Sequence, residues 1–249
     1  MMILIAAAVN LVVGLLIGLT GVAGFLLPMF YAGSMNLPVA ESLALSFAAF
    51  VVSGILGAWN YHKAGNLDLK FGLKLSAGSL IGAVVGVRLN QMIPEETVKI
   101  LLYTVVLLSG ISILLRKDRQ NETSRKSFVI SDHLLAALLL GFVTAVICSL
   151  SGAGGPVLVM PLLVVLGIPV RTAVGAALFN SIFIGVPACI GYMGQCNMIA
   201  MLGLLAITLA AHAVGVLIGS KNAVRINQGL LKKGIAIFSI LIALWKLFA

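Results

Sequence analysis

The sequence predicts an all-α polytopic membrane protein built from two inverted repeats, each a glycine-broken helical hairpin followed by three transmembrane helices. Composition is the first reason. Of the 249 residues 61% are hydrophobic and 9% are charged, whereas a soluble domain carries about 25% charged residues. A chain with so few charges cannot cover a water-facing surface. Lipid is therefore expected to be its solvent.

An internal repeat is the second reason. A glycine-rich tetrad at residues 21–24 and a tripeptide at 37–39 recur as residues 152–155 and 168–170, in both cases 131 residues later. Further along, two more glycines in each half, at 82 and 86 and at 215 and 219, are related by an offset of 133 residues. Glycine-broken apolar segments at corresponding positions of two halves are a sequence signature of secondary transporters.

The apolar segments define about ten helical pieces in order along the chain. The first repeat, 1–116, contains a broken segment at 2–34 and spans at 39–61, 70–90 and 98–115. A polar linker, 117–131, leads to the second repeat, 132–249, with a broken segment at 133–167 and spans at 172–193, 198–219 and 229–248. The arm 157–167 would reach only about 16 Å, about half the hydrocarbon thickness. Each broken segment is therefore expected to turn back within the membrane.

Lysine and arginine positions favour inverted over parallel repeats. If each broken segment crossed the membrane, nine of the 16 basic residues would lie on the linker side and seven on the other. If each turns back, thirteen lie on the linker side and only Arg88, Lys99 and Lys246 lie opposite. Short cytoplasmic loops are enriched in lysine and arginine. The sequence thus predicts inverted repeats and a cytoplasmic linker in a multi-pass protein of the plasma membrane.

The two glycine-rich breaks are the candidate substrate site. Irregular backbone at membrane depth is tolerated where it lines a cavity, and a helix restarting there presents N–H groups and the positive end of its dipole. Pro156 suits the first position of such a helix, and Ser151 could cap it. Two helix starts facing each other would bind an anion. The alternative is that these glycines only permit close helix packing.

Polar side chains inside the spans are further candidates. Asn180 lies near the middle of 172–193, either as a substrate ligand or as a partner in an interhelical hydrogen bond. Arg171 could draw anions toward the site or merely mark topology. His212 could couple proton movement to transport, although a neutral histidine bonded to a neighbouring helix is an equal alternative. The predicted substrate-binding residues are Thr20, Gly21, Gly24, Ser46, Ser151, Gly152, Gly154, Gly155, Arg171 and Asn180.

Several function classes lack their motifs. The sequence contains no Walker loop, catalytic carboxylate pair, His-Glu zinc motif or nucleophile elbow, so neither an enzyme nor a bound cofactor is expected. The three cysteines fit no metal-ligand spacing, and the seven acidic residues lie mostly in loops, which argues against a cation site. The net charge of +9 is distributed as membrane topology requires, so a nucleic-acid partner is not expected either.

At these motifs the chain resembles the sulfite exporter TauE/SafE family, also called the 4-toluene sulfonate uptake permeases. The resemblance rests on residues 141–161, on Gly167-Ile168-Pro169 and on the first-half counterpart 14–38, and it covers the whole chain. The first tetrad, 21–24, departs from the denser glycine cluster that the family often shows. The resemblance implies a plasma-membrane transporter of sulfur-containing anions such as sulfite, sulfonates or sulfoacetate, although other small organic anions also occur as substrates in the family.

The leading functional hypothesis is secondary transport of a small anion by alternating access. The basic cytoplasmic face favours export, although topology alone also places basic residues there. The alternatives are a passive channel for small solutes and a transporter of another substrate, such as a transition-metal ion. A homodimer is compatible with the sequence, but no segment identifies an interface.

Overall fold

The computed structural model describes residues 2–21, 23–114 and 133–223, together with five single positions beyond them. Within these ranges the chain forms nine α-helices and one 3₁₀ turn, without strands, which confirms the all-α class. The helices are α1 (Met2–Thr20), α2 (Leu26–Gly33), α3 (Val39–Lys63), α4 (Leu69–Met92), α5 (Glu95–Leu114), α6 (Leu134–Ser151), α7 (Gly155–Val165), α8 (Val170–Met193) and α9 (Met198–Asn222). The predicted linker and the predicted span 229–248 lie outside the described ranges, apart from single helical positions.

Both broken segments form helical hairpins with one long and one short arm. The long arms, α1 and α6, have 19 and 18 residues, and the short arms, α2 and α7, have 8 and 11. At 1.5 Å per residue the short arms reach only about 12 and 16 Å, too little to cross the hydrocarbon. Pro38 and Pro169 then start α3 and α8 at corresponding points of the two repeats.

Six helices in the described part of the chain are long and apolar enough to cross a membrane, namely α1, α3, α4, α6, α8 and α9. Their outer faces carry exposed large apolar side chains, such as Ile81, Leu135 and Ile190, each more than 60% exposed. Such a surface fits lipid and would be a liability in water. The chain is therefore a multi-pass membrane protein.

The helices α3 and α8 cross at the centre of the molecule and run antiparallel. Phe50 faces Ser181, Ala44 faces Cys189, and the other end of α3 at Tyr61 faces Gly175, so residue numbers rise on one helix as they fall on the other. These two helices are repeat counterparts. Parallel repeats would make them run in the same direction, and inverted repeats require opposite directions. The predicted inversion is confirmed.

The long arm of each hairpin packs against the opposite repeat. Helix α1 lies along α9, and α6 lies along α4. A Cβ at Gly215 or Gly219 would overlap the backbone of Leu11 or Leu15 on α1, and a Cβ at Gly82 or Gly86 would overlap the backbone of α6 at the counterpart positions, Phe142 and Val146. For these helical glycines the packing interpretation is correct, and the two repeats interlock instead of forming separate domains.

One tyrosine in each repeat contacts the end of the long arm of its hairpin. The Tyr61 hydroxyl lies 3.4 and 3.3 Å from the carbonyl oxygens of Gly18 and Leu19 at the end of α1. Its counterpart, Tyr192, donates to the Ser149 carbonyl at the end of α6, at 2.7 Å. Helix-end carbonyls lack intrahelical partners. The same residue type therefore satisfies the same helix end in both repeats.

Candidate substrate site between the two glycine turns

One aromatic ring lies between the two glycine turns. Phe50, on α3 at the crossing with α8, is only 2% exposed. A Cβ built at Gly24 in the first turn would lie 3.0 Å from one edge carbon of this ring, and one built at Gly154 in the second turn would lie 3.0 Å from the carbon at its opposite edge. The ring therefore contacts backbone from both repeats, and the predicted convergence of the two turns is present in the structure.

A small cavity lies beside this ring. Its volume is about 10 Å³, close to the space that one water molecule needs. Its lining comes from both turns and from both crossing helices: Ile17, Gly21, Gly24, Phe50, Ser53, Pro156 and Ser181. The repeat counterpart of Phe50 is Ser181, since they lie 131 residues apart. A serine where the symmetry would place a second phenyl ring leaves this space unfilled.

The turns require glycine at specific positions. Gly21 in the first turn and Gly152 and Gly154 in the second have φ of +72°, +77° and +79°, a region that other L-residues rarely adopt. The first glycine of each turn also packs against the opposite repeat. A Cβ at Gly21 would meet Val174 on α8, and one at Gly152 would meet its counterpart on α3, Leu43.

The start of α7 faces the crossing point directly. A Cβ at Gly155, the first residue of α7, would lie 3.3 Å from the Ser181 Cα and 3.0 Å from the Ile184 Cδ1. The first backbone N–H groups of a helix have no intrahelical acceptor, and its dipole is positive there. Pro156 occupies the second helical position instead of the expected first.

The expectation that Ser151 caps this helix is wrong. The N-cap is Gly154, which offers no side-chain acceptor. The Ser151 hydroxyl instead donates to the Ile147 carbonyl at 2.7 Å and accepts from the Ala153 N–H at 3.4 Å. Ser151 thus closes the last turn of α6, and three residues of irregular backbone separate it from α7. In the described structure, no side chain therefore caps the start of α7 and competes with a ligand for its N–H groups.

Asn180 is fully buried and has no hydrogen-bond partner in the described structure for either its amide nitrogen or its amide oxygen. It lies one helical turn before Ile184, on the same face of α8 that meets Gly155. A buried amide without partners costs about 1–3 kcal/mol. The expected interhelical hydrogen bond is therefore not formed in this conformation, and the amide is available to a ligand or a water molecule.

His212 connects to the cavity through a serine. Its ring is fully buried on α9. The Nε2 atom lies 2.6 Å from the Ser53 Oγ, and Nδ1 lies 3.1 Å from the Asn10 carbonyl oxygen on α1. The Asn10 amide in turn donates to the Tyr31 hydroxyl at 2.7 Å. Because Ser53 lines the cavity, His212 is one hydrogen bond away from it.

Of the ten predicted residues, Gly21 and Gly24 line the cavity itself. Thr20, which does not, ends α1, and its hydroxyl donates to the Leu16 carbonyl. The Ser46 hydroxyl donates to the Ser42 carbonyl of its own helix at 2.6 Å. Arg171 is exposed at the start of α8, ten residues and thus about 15 Å before Ser181. No Asp, Glu, Lys or Arg is among the described residues that line the cavity. In the described ranges, no three His, Cys, Asp or Glu side chains are grouped as metal ligands.

Sequence reasoning missed Phe50 and Asn10, although a signal existed for both. Applying the repeat offset to Ser181 leads to Phe50, and Asn10 is an isolated amide inside an otherwise apolar run. Ser53 is one of several serines inside the spans, so the sequence alone favours a packing role for it over a place in the site. Its position depends on the tilt at which α3 crosses its neighbours.

Comparison with known proteins finds similarity over nearly the whole chain. The family model described as "Sulfite exporter TauE/SafE" matches residues 5–245. The "Probable membrane transporter protein YdhB" of Bacillus subtilis (strain 168) is 25% identical over 212 residues, covering 83% of this chain and 86% of that protein. A "Probable membrane transporter protein" of Haemophilus influenzae is 26% identical over 267 aligned positions and 97% of both chains. No solved structure matches significantly.

Proposed function

Because the chain belongs to the sulfite exporter TauE/SafE family of membrane transporters, we propose that it moves a small anion, sulfite or an organosulfonate such as sulfoacetate, across the plasma membrane by alternating access. The observation that carries this proposal is the position of Phe50 between the two glycine turns. One ring contacts a turn from each repeat, so any rocking of one repeat against the other must change the space around it.

The chemistry around the cavity favours an anion over a cation. The lining includes Ser53 and Ser181, no carboxylate is among its described residues, and Gly155 at the start of α7 packs against Ser181. Helix starts carry a partial positive charge of about half an elementary charge. The unpartnered Asn180 amide adds a donor group on the α8 face next to Gly155. Together these groups would hold the oxygen atoms of a sulfite or sulfonate head group.

The charge distribution supports the orientation. In the inverted arrangement thirteen of the 16 lysine and arginine residues lie with the linker, on the cytoplasmic side. Positive potential at that mouth would raise the local concentration of anions inside the cell. Export, down an outward gradient of the anion, is therefore the proposed direction.

Flux into proteoliposomes containing the purified full chain tests the proposal. Sulfite, sulfoacetate and a simple sulfonate are compared with acetate, chloride and nickel ion. Saturable uptake that is accelerated by unlabelled substrate on the opposite side identifies a carrier, because a pore does not exchange in this way. Flux without such acceleration would replace the carrier with a channel. Nickel flux without anion flux would refute the anion site.

Two glycines with similar φ test the location of the site. Gly154→Leu places a side chain against the Phe50 ring at a positive φ, and we expect counterflow to be lost while the protein still inserts into membranes. Gly65→Leu also places a side chain at a positive φ, +70°, but nothing lies within 4 Å of its Cβ. We expect this control to retain counterflow. Equal activity of the two variants would contradict a site at the second turn.

A further inference from the structure

The hydrogen bonds of His212 define which of its atoms can change protonation. The Asn10 carbonyl oxygen can only accept, so Nδ1 carries a hydrogen in both charge states. In the neutral ring Nε2 is then an acceptor, and the Ser53 hydroxyl must donate its single hydrogen to it. Protonation therefore takes place at Nε2, the nitrogen that faces Ser53.

Protonation at Nε2 reverses the role of Ser53. In the neutral state the only hydroxyl hydrogen of Ser53 points at Nε2, so toward the cavity this oxygen is an acceptor. In the protonated state Nε2–H donates to the Ser53 Oγ, and the hydroxyl hydrogen is released. It can then point to the Ala49 carbonyl, 3.0 Å away, or to an anion in the cavity.

Both changes stabilise a buried anion. Moving an isolated charge out of water costs several kcal/mol unless it is paired and hydrogen-bonded. No lysine or arginine is among the described residues that line the cavity. Protonated His212 supplies one full positive charge, one hydrogen bond away from the cavity. It also makes the Ser53 hydroxyl a donor toward the cavity. Both effects stabilise an anion, and the neutral state provides neither.

We propose that His212 binds one proton together with each transported anion, and that Ser53 is the cavity-lining group through which the two are coupled. This inference rests on the proposed function. The proton passes from water in the cavity to Nε2 when the anion binds and returns to water on the opposite side when the anion leaves. No other bond is formed or broken.

Neighbouring groups do not duplicate this role. Helix α1, which packs on one side of His212, carries no acidic or basic residue. On α3 the charged and titratable groups, Glu41, Tyr61, His62 and Lys63, lie near the helix ends, and on α9 the basic group is Lys221 in the last turn. Among the residues that the structure describes, Tyr31 of α2 connects to His212 through Asn10.

The repeat symmetry supplies a matched control position. The counterpart of His212 in the first repeat is Ser79, whose hydroxyl lies 3.1 Å from the carbonyl oxygen of Gly141, the counterpart of Asn10. The counterpart of Ser53 is Ile184. The counterpart position therefore has the same contact to a backbone carbonyl but no group that binds a proton. Within the described ranges, the histidine network exists on one side of the pseudo-twofold axis.

The test compares proton-driven uptake with counterflow in proteoliposomes, using a simple sulfonate because it stays ionised throughout. In the wild type we expect a proton gradient to accelerate net uptake. In His212→Gln, whose amide can still donate to Ser53 but cannot hold a proton, net uptake should fall to the rate seen without a gradient, and counterflow should persist with a raised KM for the sulfonate. Ser53→Ala should raise the KM for the sulfonate. Ser79→Ala should behave as wild type.

The outcomes separate the two proposals. Absence of both net flux and counterflow in the wild type would refute the transport of this anion class. Wild-type counterflow with net uptake that ignores the proton gradient would refute proton coupling alone, as would gradient-driven uptake by His212→Gln. If that variant does not fold, proton uptake by detergent-solubilised wild type on sulfonate addition decides the question. About one proton per bound anion is expected, and none would overturn the inference.

Discussion

At the residue scale, Tyr61 and Tyr192 make the same kind of contact at corresponding positions of the two repeats. Each places a hydroxyl on backbone carbonyls that end the long arm of the hairpin in its own half. Tyr192 also stacks on Phe47, with ring centroids 5.8 Å apart, and Phe47 meets Phe50 edge-on at 5.5 Å. The ring between the two glycine turns is thus supported by a residue that fixes the end of α6.

Tyr192→Phe tests the value of this hydrogen bond. The substitution removes the hydroxyl and leaves the buried Ser149 carbonyl without its donor, so we expect a loss of about 1–3 kcal/mol in stability. Thermal unfolding in detergent should show a lower midpoint. Tyr103→Phe is the control, because Tyr103 is also buried but has no hydrogen bond among the described residues. Equal shifts in both variants would contradict a role for the Tyr192 hydroxyl.

The residues of the site differ in how well the sequence predicts them. Glycines such as Gly21 and Gly154 were identified because a positive φ leaves few other choices at a break in an apolar helix. Phe50 is one apolar residue among many in a membrane span, and only the crossing geometry of α3 and α8 gives it a special position. Its location between two turns depends on contacts far apart in sequence, which local patterns do not encode.

At the element scale, the helical glycines set how closely α1 approaches α9 and α6 approaches α4. Without a hydrophobic force between helices in lipid, close backbone packing is a main source of association. The sequence related the glycines of the two halves to each other through the offset of 133 residues, but it did not predict which helices they pack against. It predicted the helices well because each is a long apolar run, and α8 begins and ends within two residues of the expected 172–193.

Gly219→Ala tests this packing. The added methyl group would overlap the Leu15 backbone, which cannot move without shifting α1. We expect a loss of about 1–3 kcal/mol, the usual cost of overpacking, measured as a lower unfolding midpoint in detergent. Gly203 lies on the same helix with nothing within 4 Å of its Cβ. Gly203→Ala should therefore leave the midpoint unchanged or raise it slightly. The reverse order would refute the tight contact.

At the scale of the whole molecule, the inverted repeats place specific loops on one side of the membrane. The loop after α3 and the loop before α8 lie together, because a Cβ at Gly175 would touch the Asn66 carbonyl. In an inverted arrangement both loops lie on the same side of the membrane as the linker. In parallel repeats they would lie on opposite sides. The sequence supported this choice only through its basic residues, whereas the antiparallel crossing of α3 and α8 supports it through geometry.

Thiol labelling of intact cells tests the arrangement. Gly65→Cys and Gly167→Cys, each in a chain whose three native cysteines are replaced by alanine, mark these two loops. Both should resist an impermeant thiol reagent added outside and react after permeabilisation. Gly194→Cys, in the loop between α8 and α9, is the control and should react from outside. Labelling of Gly167→Cys but not Gly65→Cys from outside would contradict inversion.

The interlocking of α1 with α9 has a consequence for biosynthesis. His212 and its partner Asn10 are 202 residues apart. At roughly 5–20 residues per second a ribosome needs about 10–40 s to cover that distance. Throughout this interval the glycine face of α1, Gly14 and Gly18, lacks the helix that covers it in the folded protein. Helix α1 thus has to wait until α9 is synthesised before it meets its partner, and nascent chains truncated before α9 expose this face to membrane quality control.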